Sequence, residues 1–198
     1  MIIGVTGGIG CGKSTVLNIL KEKYDAAIIM ADDVAKELML PGNASYEGIV
    51  GYFGENILKA GKGSEIDRAL LSDIVFKDDE KLKILNSLTH PNVEIEIRKR
   101  IKYFLEAGIT YIVIEAALFI EAGYKDFTDE LWVIVTDYET RLKRLYESRG
   151  LTKEKADSII DNQLSDSEMV KYADFVIDNS GSIENTERQI SERLSNYM

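Results

Sequence analysis

The sequence predicts an α/β fold in which five parallel strands form one sheet with helices on both faces. Three observations lead to this fold class: short apolar runs of strand length, helical patterns between them, and a glycine-rich turn directly after the first run. Nearly continuous apolar runs are typical of parallel strands covered on both faces. Parallel strands also need crossover connections, which are usually helices, so the alternation of the two patterns favours a doubly covered sheet.

Five runs are predicted as strands: residues 2–6, 26–31, 111–116, 131–136 and 175–177. The first four are almost entirely apolar rather than alternating. Apolar residues at helical spacing follow the first run, as a strand–turn–helix unit requires. The closing segment, residues 182–197, places Ile183, Ile190 and Leu194 on one helical face, and we expect that face to pack on the sheet.

The interval between the second and third strands is much longer than one crossover helix needs. It contains helical patterns over residues 67–76, 79–88 and 91–105. Pro91 suits the first turn of a helix, with Thr89 or His90 before it as a cap. The sequence therefore predicts a single domain with a core of residues 1–35 and 108–198 and a helical insertion of about residues 36–107.

The turn after the first strand carries the most specific motif of the chain. Residues 7–14 read Gly-Gly-Ile-Gly-Cys-Gly-Lys-Ser, which fits the phosphate-binding loop G-x-x-x-x-G-K-[ST]. In such a loop, backbone N–H groups turn toward phosphate oxygens where no Cβ obstructs them. The N–H donors expected to face the phosphates are those of Gly10, Cys11 and Gly12.

Three side chains of this motif have expected roles with ATP. Lys13 can reach the β- and γ-phosphates, and Ser14 can place its hydroxyl on Mg²⁺. The hydroxyl of Thr15 is placed to meet the α-phosphate. The motif therefore predicts a nucleotide-binding protein that uses Mg²⁺.

The composition excludes several classes of function. The 198 residues carry a formal net charge of −10, which argues against nucleic-acid and acidic-membrane binding because both need a basic surface. No apolar run is long enough to cross a membrane, and the amino terminus carries no basic leader, so we expect a cytoplasmic protein. Cys11 is the only cysteine, which rules out an internal disulfide and fits a reducing compartment. No feature indicates an obligate protein partner.

The type of phosphate-binding protein follows by elimination. The tetrapeptide N/T-K-x-D, which switch GTPases use for guanine, does not occur in the chain. Large motor and transport ATPases need more chain than this. A small-molecule kinase remains, with a compact core, an acceptor-binding insertion and a mobile lid.

Further motifs occur in order along nearly the whole chain. They are Met-Ala-Asp-Asp-Val-Ala at 30–35, Tyr-Phe-Gly at 52–54, Gly-Ser-Glu-Ile-Asp-Arg at 63–68, Leu-Thr-His-Pro at 88–91, Ala-Leu-Phe-Ile-Glu at 117–121, and Gln163 with Ala-Asp at 173–174 and Asn179. With the phosphate-binding loop, this ordered set resembles the dephospho-CoA kinase family. The resemblance implies a P-loop kinase fold of the nucleoside-monophosphate-kinase type. It also implies transfer of the ATP γ-phosphoryl group to the ribose 3′-hydroxyl of 3′-dephospho-coenzyme A, which gives coenzyme A and ADP in the last step of coenzyme A biosynthesis.

The resemblance also implies catalytic roles. Asp32 matches the carboxylate that orients the acceptor hydroxyl and takes its proton, and Asp33 is either the alternative for this role or a helix cap. Lys13, Arg144 and Arg149 are implied to stabilise charge on the transferred phosphoryl group, with a lid of about residues 141–165. For each single arginine, a solvated helix face is the alternative interpretation. The family's first aspartate of this motif is Met30 here.

Acceptor and adenine contacts are implied as well. Residues matched to the acceptor site are Arg68, His90, Leu118 and Glu121. An ion pair of Arg68 with Asp67 or Glu65, and a capping or buried role of His90, are the alternatives. Asn179 is implied to contact adenine, or else belongs to an ordinary turn. Ala117 stands where the family has proline, so we expect a less rigid loop.

Two rival functions and one reactivity hypothesis stay open at this point. The first rival is a kinase for another small acceptor, such as a nucleoside monophosphate. The second is a nucleotide-sensing module without turnover. Cys11 lies at a helix N-terminus, where a thiol pKa can fall. We therefore expect that alkylation of Cys11 inactivates the protein and that ATP protects it.

Overall fold

The protein consists of two compact units. A computed structural model describes residues 1–59, 63–120 and 122–197. One unit comprises Met1–Ile29 and Phe104–Met198, and the other comprises Met30–Tyr103. The predicted insertion, residues 36–107, overlaps the second unit over most of its length. Within the described ranges, no helix combines the length and apolar character needed to cross a bilayer.

The five predicted strands are confirmed. The structure has β1 Ile2–Thr6, β2 Ala27–Met30, β3 Ile112–Glu115, β4 Glu130–Val135 and β5 Phe175–Asp178. They form one parallel sheet in the order β2-β3-β1-β4-β5. Every residue of β3 is buried, as expected for a central strand covered on both faces. The first strand is therefore the centre of the sheet, with Ile3 aligned to Val113 on one side and to Glu130 on the other.

The helices in chain order are α1 Lys13–Tyr24, α2 Ala31–Leu38, α3 Tyr46–Phe53, α4 Arg68–Val75, α5 Asp79–Glu106, α6 Tyr138–Arg149, α7 Lys153–Asp161, α8 Asp166–Met169 and α9 Ile183–Ser195. Short 3₁₀ turns lie at Glu55–Ile57, Tyr124–Phe127 and Val170–Tyr172. Side-chain caps fix several helix starts. Asp67, Asp137, Thr152, Ser165 and Ser182 each accept a backbone N–H at the start of the helix that follows.

The prediction of two helices around Pro91 is wrong. Residues 79–106 form the single helix α5, with Pro91 inside it. Proline has no N–H, so the carbonyl of Ser87 loses its helical donor. One turn away, the Asn92 Nδ2 donates to the carbonyl of Leu88 at 3.1 Å, and the Thr89 hydroxyl donates to that of Leu85 at 2.9 Å. These side chains supply local hydrogen bonds where the proline disturbs the ladder, and neither Thr89 nor His90 is a cap.

The last helix differs from the expectation at one position. Ile190 and Leu194 of α9 are fully buried, but Ile183 is half exposed. Thr186, a polar residue, is buried in its place with no exposed surface. The inner face of α9 is therefore partly polar, and its partners belong to the functional site.

The second unit has its own apolar core. Its buried residues are Tyr46, Ile49, Ile57, Leu58, Ile66, Leu71 and Val75. They come from α3, α4 and the segment between them. Burial of these large side chains favours the packing of the short helices, because each contributes about 1.5–3 kcal/mol when fully buried, against the entropy cost of ordering the chain.

Candidate functional site

The glycine-rich turn leaves the central strand β1 and leads directly into α1. Gly12 precedes α1 with φ of 87° and ψ of 35°, and no side chain caps the helix. A Cβ on Gly12 would overlap the Nδ2 of Asn179, so both the backbone conformation and the close approach require glycine. Among the described residues, the N–H groups of Gly10, Gly12 and Ser14 donate to no protein acceptor, whereas that of Lys13 donates to the Cys11 sulfur. Three open donors at a helix N-terminus form an anion site.

Lys13 lies at the mouth of this loop. Its ammonium donates to the carbonyl of Gly7 at 2.8 Å and to that of Gly8 at 3.4 Å. It also lies 3.9 Å from the carboxylate of Glu115, whose side chain is almost fully buried at the end of β3. Glu115 is therefore a buried carboxylate rather than a surface one. These contacts hold the Lys13 charge next to the open N–H groups.

The two hydroxyls after the lysine differ in exposure. Ser14 is exposed in the first turn of α1, and Thr15 is half-buried. The Thr15 N–H donates to the Gly12 carbonyl at 3.0 Å, so the helix is already formed at this point. The Ser14 hydroxyl is thus accessible to a ligand at the loop.

The Cys11 carbonyl is held by three side chains from behind the loop. It accepts from the Thr136 hydroxyl at 2.9 Å, from the Asn179 Nδ2 at 2.8 Å and from the Arg144 Nη1 at 3.5 Å. The Arg144 Nη2 also donates to the Asn179 carbonyl at 2.8 Å. A buried carbonyl with this set of donors cannot turn outward without losing all of them.

The next anchor point is the peptide group of Ile9. Its N–H donates to the Gln163 Oε1 at 2.8 Å, and its carbonyl accepts from the Arg141 Nε at 3.1 Å. The buried Arg141 guanidinium also pairs with Asp166 at 3.2 Å. The region predicted as a lid therefore contacts the loop at Ile9. The Gln163 contact was not predicted, although the residue was singled out by the motif comparison.

A small cavity of about 70 Å³ opens beside the start of the loop. It is lined by Thr6, Gly7, Gly8, Ala117, Leu118, Ile120, Asn162, Gln163, Leu164 and Met169. Leu118, predicted to bind the acceptor, is exposed at this cavity. Glu121, the other acceptor residue predicted in this segment, lies outside the described residues. The cavity brings part of the 117–121 motif next to the phosphate-binding loop.

Neighbouring carboxylates follow strand β2. Asp32 and Asp33 are both exposed in the first turn of α2, where negative charge is favourable to the helix dipole. The residue that precedes the helix is Met30 and no side chain caps it, so the expected cap role of Asp33 is wrong. Asp33 pairs with Lys36 at 2.6 Å. In the described part of the chain, Asp32 has no ion-pair partner.

The second unit contains a charged cavity of about 170 Å³. Its lining residues are Lys36, Glu37, Met39, Leu40, Lys59, Glu65, Ile66 and Arg68. The alternative ion pairs of Arg68 are not formed, because Glu65 pairs with Lys59 at 2.8 Å and Asp67 caps α4. The exposed Arg68 guanidinium of this cavity acts electrostatically on Glu65, but no ion pair of Arg68 is found among the described residues.

The remaining predicted residues lie in different settings. Arg149, the last residue of α6, is exposed. His90 is half-buried inside α5, and burial lowers its pKa, which favours the neutral imidazole. The Asn179 side chain is 2% exposed, and its Oδ1 accepts from Thr186 at 2.9 Å. An adenine contact by this amide would require it to leave both of its partners.

The surroundings of Cys11 contradict the hypothesis that its thiol is reactive. Its side chain has no exposed surface. Burial raises the pKa of the thiol, and this effect exceeds the opposing influence of Lys13. Small size, rather than reactivity, explains a cysteine at this position of the loop.

A family model places the chain among known proteins. The model described as dephospho-CoA kinase matches residues 1–185. The chain belongs to the dephospho-CoA kinase family. The dephospho-CoA kinase of Carboxydothermus hydrogenoformans is 48% identical over 196 residues, which cover 99% of this chain and 94% of that protein. The dephospho-CoA kinase of Geobacter sulfurreducens is 40% identical over 96% of this chain and 95% of its own length.

Solved structures agree with this family and fold. The dephospho-CoA kinase from Campylobacter jejuni superposes with a TM-score of 0.72 at 31% identity and covers 99% of this chain and 96% of that one. Shikimate kinase from Aquifex aeolicus covers 100% of this chain and 98% of its own, with a TM-score of 0.56 at 14% identity. The second likeness concerns the fold alone. The predicted P-loop kinase fold is confirmed.

Proposed function

We propose that this dephospho-CoA kinase transfers the γ-phosphoryl group of ATP to the ribose 3′-hydroxyl of 3′-dephospho-coenzyme A, which gives coenzyme A and ADP. The observation that carries the proposal is the family match over residues 1–185 on a chain whose phosphate-binding loop has three open N–H donors. Phosphoryl transfer needs positioning and charge neutralisation more than covalent chemistry from the protein. The loop supplies both at one end of the sheet.

The loop and its lysine would hold the triphosphate. N–H groups of Gly10, Gly12 and the first residues of α1 surround phosphate oxygens, and Lys13 reaches the β- and γ-phosphates. The Cys11 N–H donates to the Gly8 carbonyl at 3.3 Å, so its expected phosphate contact needs a small rotation of that peptide. The Thr15 hydroxyl is proposed for the α-phosphate.

Mg²⁺ fits this site as a companion of the nucleotide. Mg²⁺ keeps several waters and takes few protein ligands beside substrate phosphates. The exposed hydroxyl of Ser14 suits that arrangement, and the described residues contain no cluster of three His, Cys, Asp or Glu side chains that would build a separate cage. When bound, the ion would neutralise charge on the β- and γ-oxygens.

Asp32 is proposed as the general base. A carboxylate is needed to orient the acceptor hydroxyl and accept its proton. Asp32 follows β2 directly and is exposed without an ion-pair partner among the described residues, whereas Asp33 is engaged by Lys36. These differences support Asp32 over its neighbour.

The other predicted site residues complete the proposal. Arg144 lies against the loop through Cys11, and Arg149 ends the same helix; both are proposed to stabilise charge on the transferred group. Arg68 at the charged cavity is proposed to bind the pyrophosphate of the acceptor, with Leu118, His90 and Glu121 as further contacts. Asn179 remains proposed near adenine, with its side-chain amide kept on Cys11 and Thr186. We place the protein in the cytoplasm, where ATP and the acceptor are available.

The decisive experiment is a transfer assay with product mass. The purified chain is incubated with Mg²⁺, ATP and one acceptor from a panel that contains dephospho-coenzyme A, adenosine monophosphate and cytidine monophosphate. A mass increase of one phosphoryl group on dephospho-coenzyme A alone supports the proposal. Preference for a nucleoside monophosphate would assign a different acceptor, and ATP binding without transfer to dephospho-coenzyme A or either nucleotide would favour a nucleotide-sensing module.

A further inference from the structure

The Cys11 carbonyl, which anchors the phosphate-binding loop, is held from behind by two side chains in series. Asn179 donates its Nδ2 to the Cys11 carbonyl at 2.8 Å. The other end of the same amide, Oδ1, accepts from the hydroxyl of Thr186 at 2.9 Å. Thr186 lies in the first turns of α9 and has no exposed surface.

The Cys11 carbonyl, which can only accept, selects one orientation of the Asn179 amide, and the Thr186 hydroxyl completes it by donating to Oδ1. A side-chain amide has a donor end and an acceptor end, so a rotation by half a turn exchanges them. With Thr186 donating to Oδ1, the NH₂ group is directed to the Cys11 carbonyl. In the opposite orientation two acceptor oxygens would face each other at Cys11 in a buried site, which is costly.

The orientation of the Cys11 carbonyl determines the direction of the next N–H. In a trans peptide the C=O and the following N–H point in opposite directions. Because the Cys11 carbonyl points toward the protein interior, the Gly12 N–H points the opposite way, toward the side of the loop where phosphate would bind. That N–H has no acceptor among the described protein groups. Gly12 is also the residue directly before Lys13.

We propose that Thr186 is a positioning residue for MgATP: through the Asn179 amide it fixes the Cys11–Gly12 peptide so that the Gly12 N–H faces the phosphates. Thr186 touches no substrate in this role and acts only through Asn179. The role rests on the proposed function, because MgATP is taken as the ligand of the loop. Thr136 supports the same carbonyl from β4 at 2.9 Å, so loss of Thr186 weakens the brace without removing it.

The test measures the Kd of MgATP by calorimetry, without any acceptor and without turnover. Thr186→Val keeps the shape but removes the hydroxyl, and we expect the Kd to rise about three- to tenfold, the effect of one weakened hydrogen bond. Thr186→Ser retains the hydroxyl and restores a Kd within about twofold of the wild type. Thr89→Val is the matched control: it removes another buried hydroxyl, one that donates to Leu85 inside α5, and it leaves the Kd unchanged.

A double-mutant cycle separates positioning from general stabilisation. In an Asn179→Ala background the relay is already broken, so Thr186→Val should add no further rise in Kd. If Thr186→Val does not fold, Thr186→Ala takes its place and must raise the Kd by about three- to tenfold, while Thr186→Ser binds as the wild type does. A lowered melting temperature with an unchanged Kd for Thr186→Val, or fully additive effects in the cycle, overturns the proposal. A wild type that binds no MgATP overturns the proposed function itself, which is a distinct outcome.

Discussion

At the scale of single residues, the two adjacent carboxylates that follow β2 differ in their ion-pair contacts. Asp32 and Asp33 share the first turn of α2 and are both exposed, but only Asp33 has an ion-pair partner in the described structure. The sequence alone left both open as the base. The contact of Asp33 with Lys36, which no motif encodes, is what separates them.

The consequence is a matched pair of variants. We expect Asp32→Asn to lower kcat by about 100-fold or more, the usual contribution of a general base, with the Kd of MgATP unchanged. Asp33→Asn loses the same charge in the same helix turn, and we expect kcat within about threefold of the wild type. Steady-state kinetics with dephospho-coenzyme A measure both. Equal losses in the two variants would mean that helix-turn charge, rather than proton transfer, explains the effect.

Cys11 shows how burial reverses a sequence-based expectation. A helix N-terminus and a nearby lysine would lower a thiol pKa, but full burial raises it. We expect iodoacetamide at pH 7.5 to label the native protein at least about tenfold more slowly than the protein unfolded in guanidinium, because only the thiolate reacts and the folded site excludes the reagent. Mass spectrometry over time gives both rates. Labelling at the unfolded rate, with protection by ATP, would restore the reactive-thiol hypothesis.

At the scale of elements, the strands were predictable and the long helix was not. Apolar runs identified β1 to β5 within about one residue, and the signal is strongest in β1, β3 and β4 because burial on both faces of these central strands leaves little choice of residue type. The sequence analysis wrongly predicted a helix boundary at Pro91, because proline is common in the first turn of helices. The side chains of Asn92 and Thr89 satisfy backbone carbonyls around it, and that compensation depends on a three-dimensional arrangement.

A buried carboxylate lies in the contact between β4 and α9. Glu130 of β4 is buried and accepts from Trp132 at 2.6 Å, from the Nε of Arg193 at 3.1 Å and from Tyr197. Burial alone would raise the pKa of Glu130, but the hydrogen bonds from Arg193, Tyr197 and Trp132 together lower it below its ordinary value of 4.5. The carboxylate therefore ties α9 to the sheet as a charged group.

This arrangement predicts a pH-dependent stability. A depressed pKa in the folded state contributes stability above the unfolded value of 4.5, and the contribution is lost as the pH falls through the folded pKa. We expect Glu130→Gln to lower the free energy of unfolding at pH 7 by about 1.5–3 kcal/mol and to reduce the loss of stability between pH 5 and about pH 3. Urea unfolding at several pH values measures both. Parallel pH profiles for wild type and variant would contradict the assignment.

At the scale of the whole molecule, the site depends on contacts that no local pattern predicts. The motif identified the loop, but the groups that hold its carbonyl at Cys11 lie 125 to 168 residues away along the chain, at Thr136, Arg144 and Asn179. Two of these, Arg144 and Asn179, were predicted for ligand contact, and the structure gives them loop-holding bonds as well. Thr136 and Thr186 had no sequence signal, because a buried threonine is ordinary in a strand or helix. Topology brings them together, since β4 and β5 follow one another on the same side of β1.

Because the loop joins the central strand to α1 and is held by the last third of the chain, ligand binding there should stabilise the whole first unit. Binding to the native state alone adds about 2.7 kcal/mol at 100 times the Kd, which for a chain of this size raises Tm by about 5–10 °C. We expect MgATP to give this Tm shift in differential scanning calorimetry. In Lys13→Ala we expect most of the shift to be lost, while the variant without ligand still unfolds as a folded protein does. Adenosine monophosphate with Mg²⁺ is the control, because it lacks the β- and γ-phosphates that the open N–H groups and Lys13 are placed to bind. An equal shift with adenosine monophosphate would place the binding energy in the base and ribose, and would contradict the assignment of the loop as the main grip on the nucleotide.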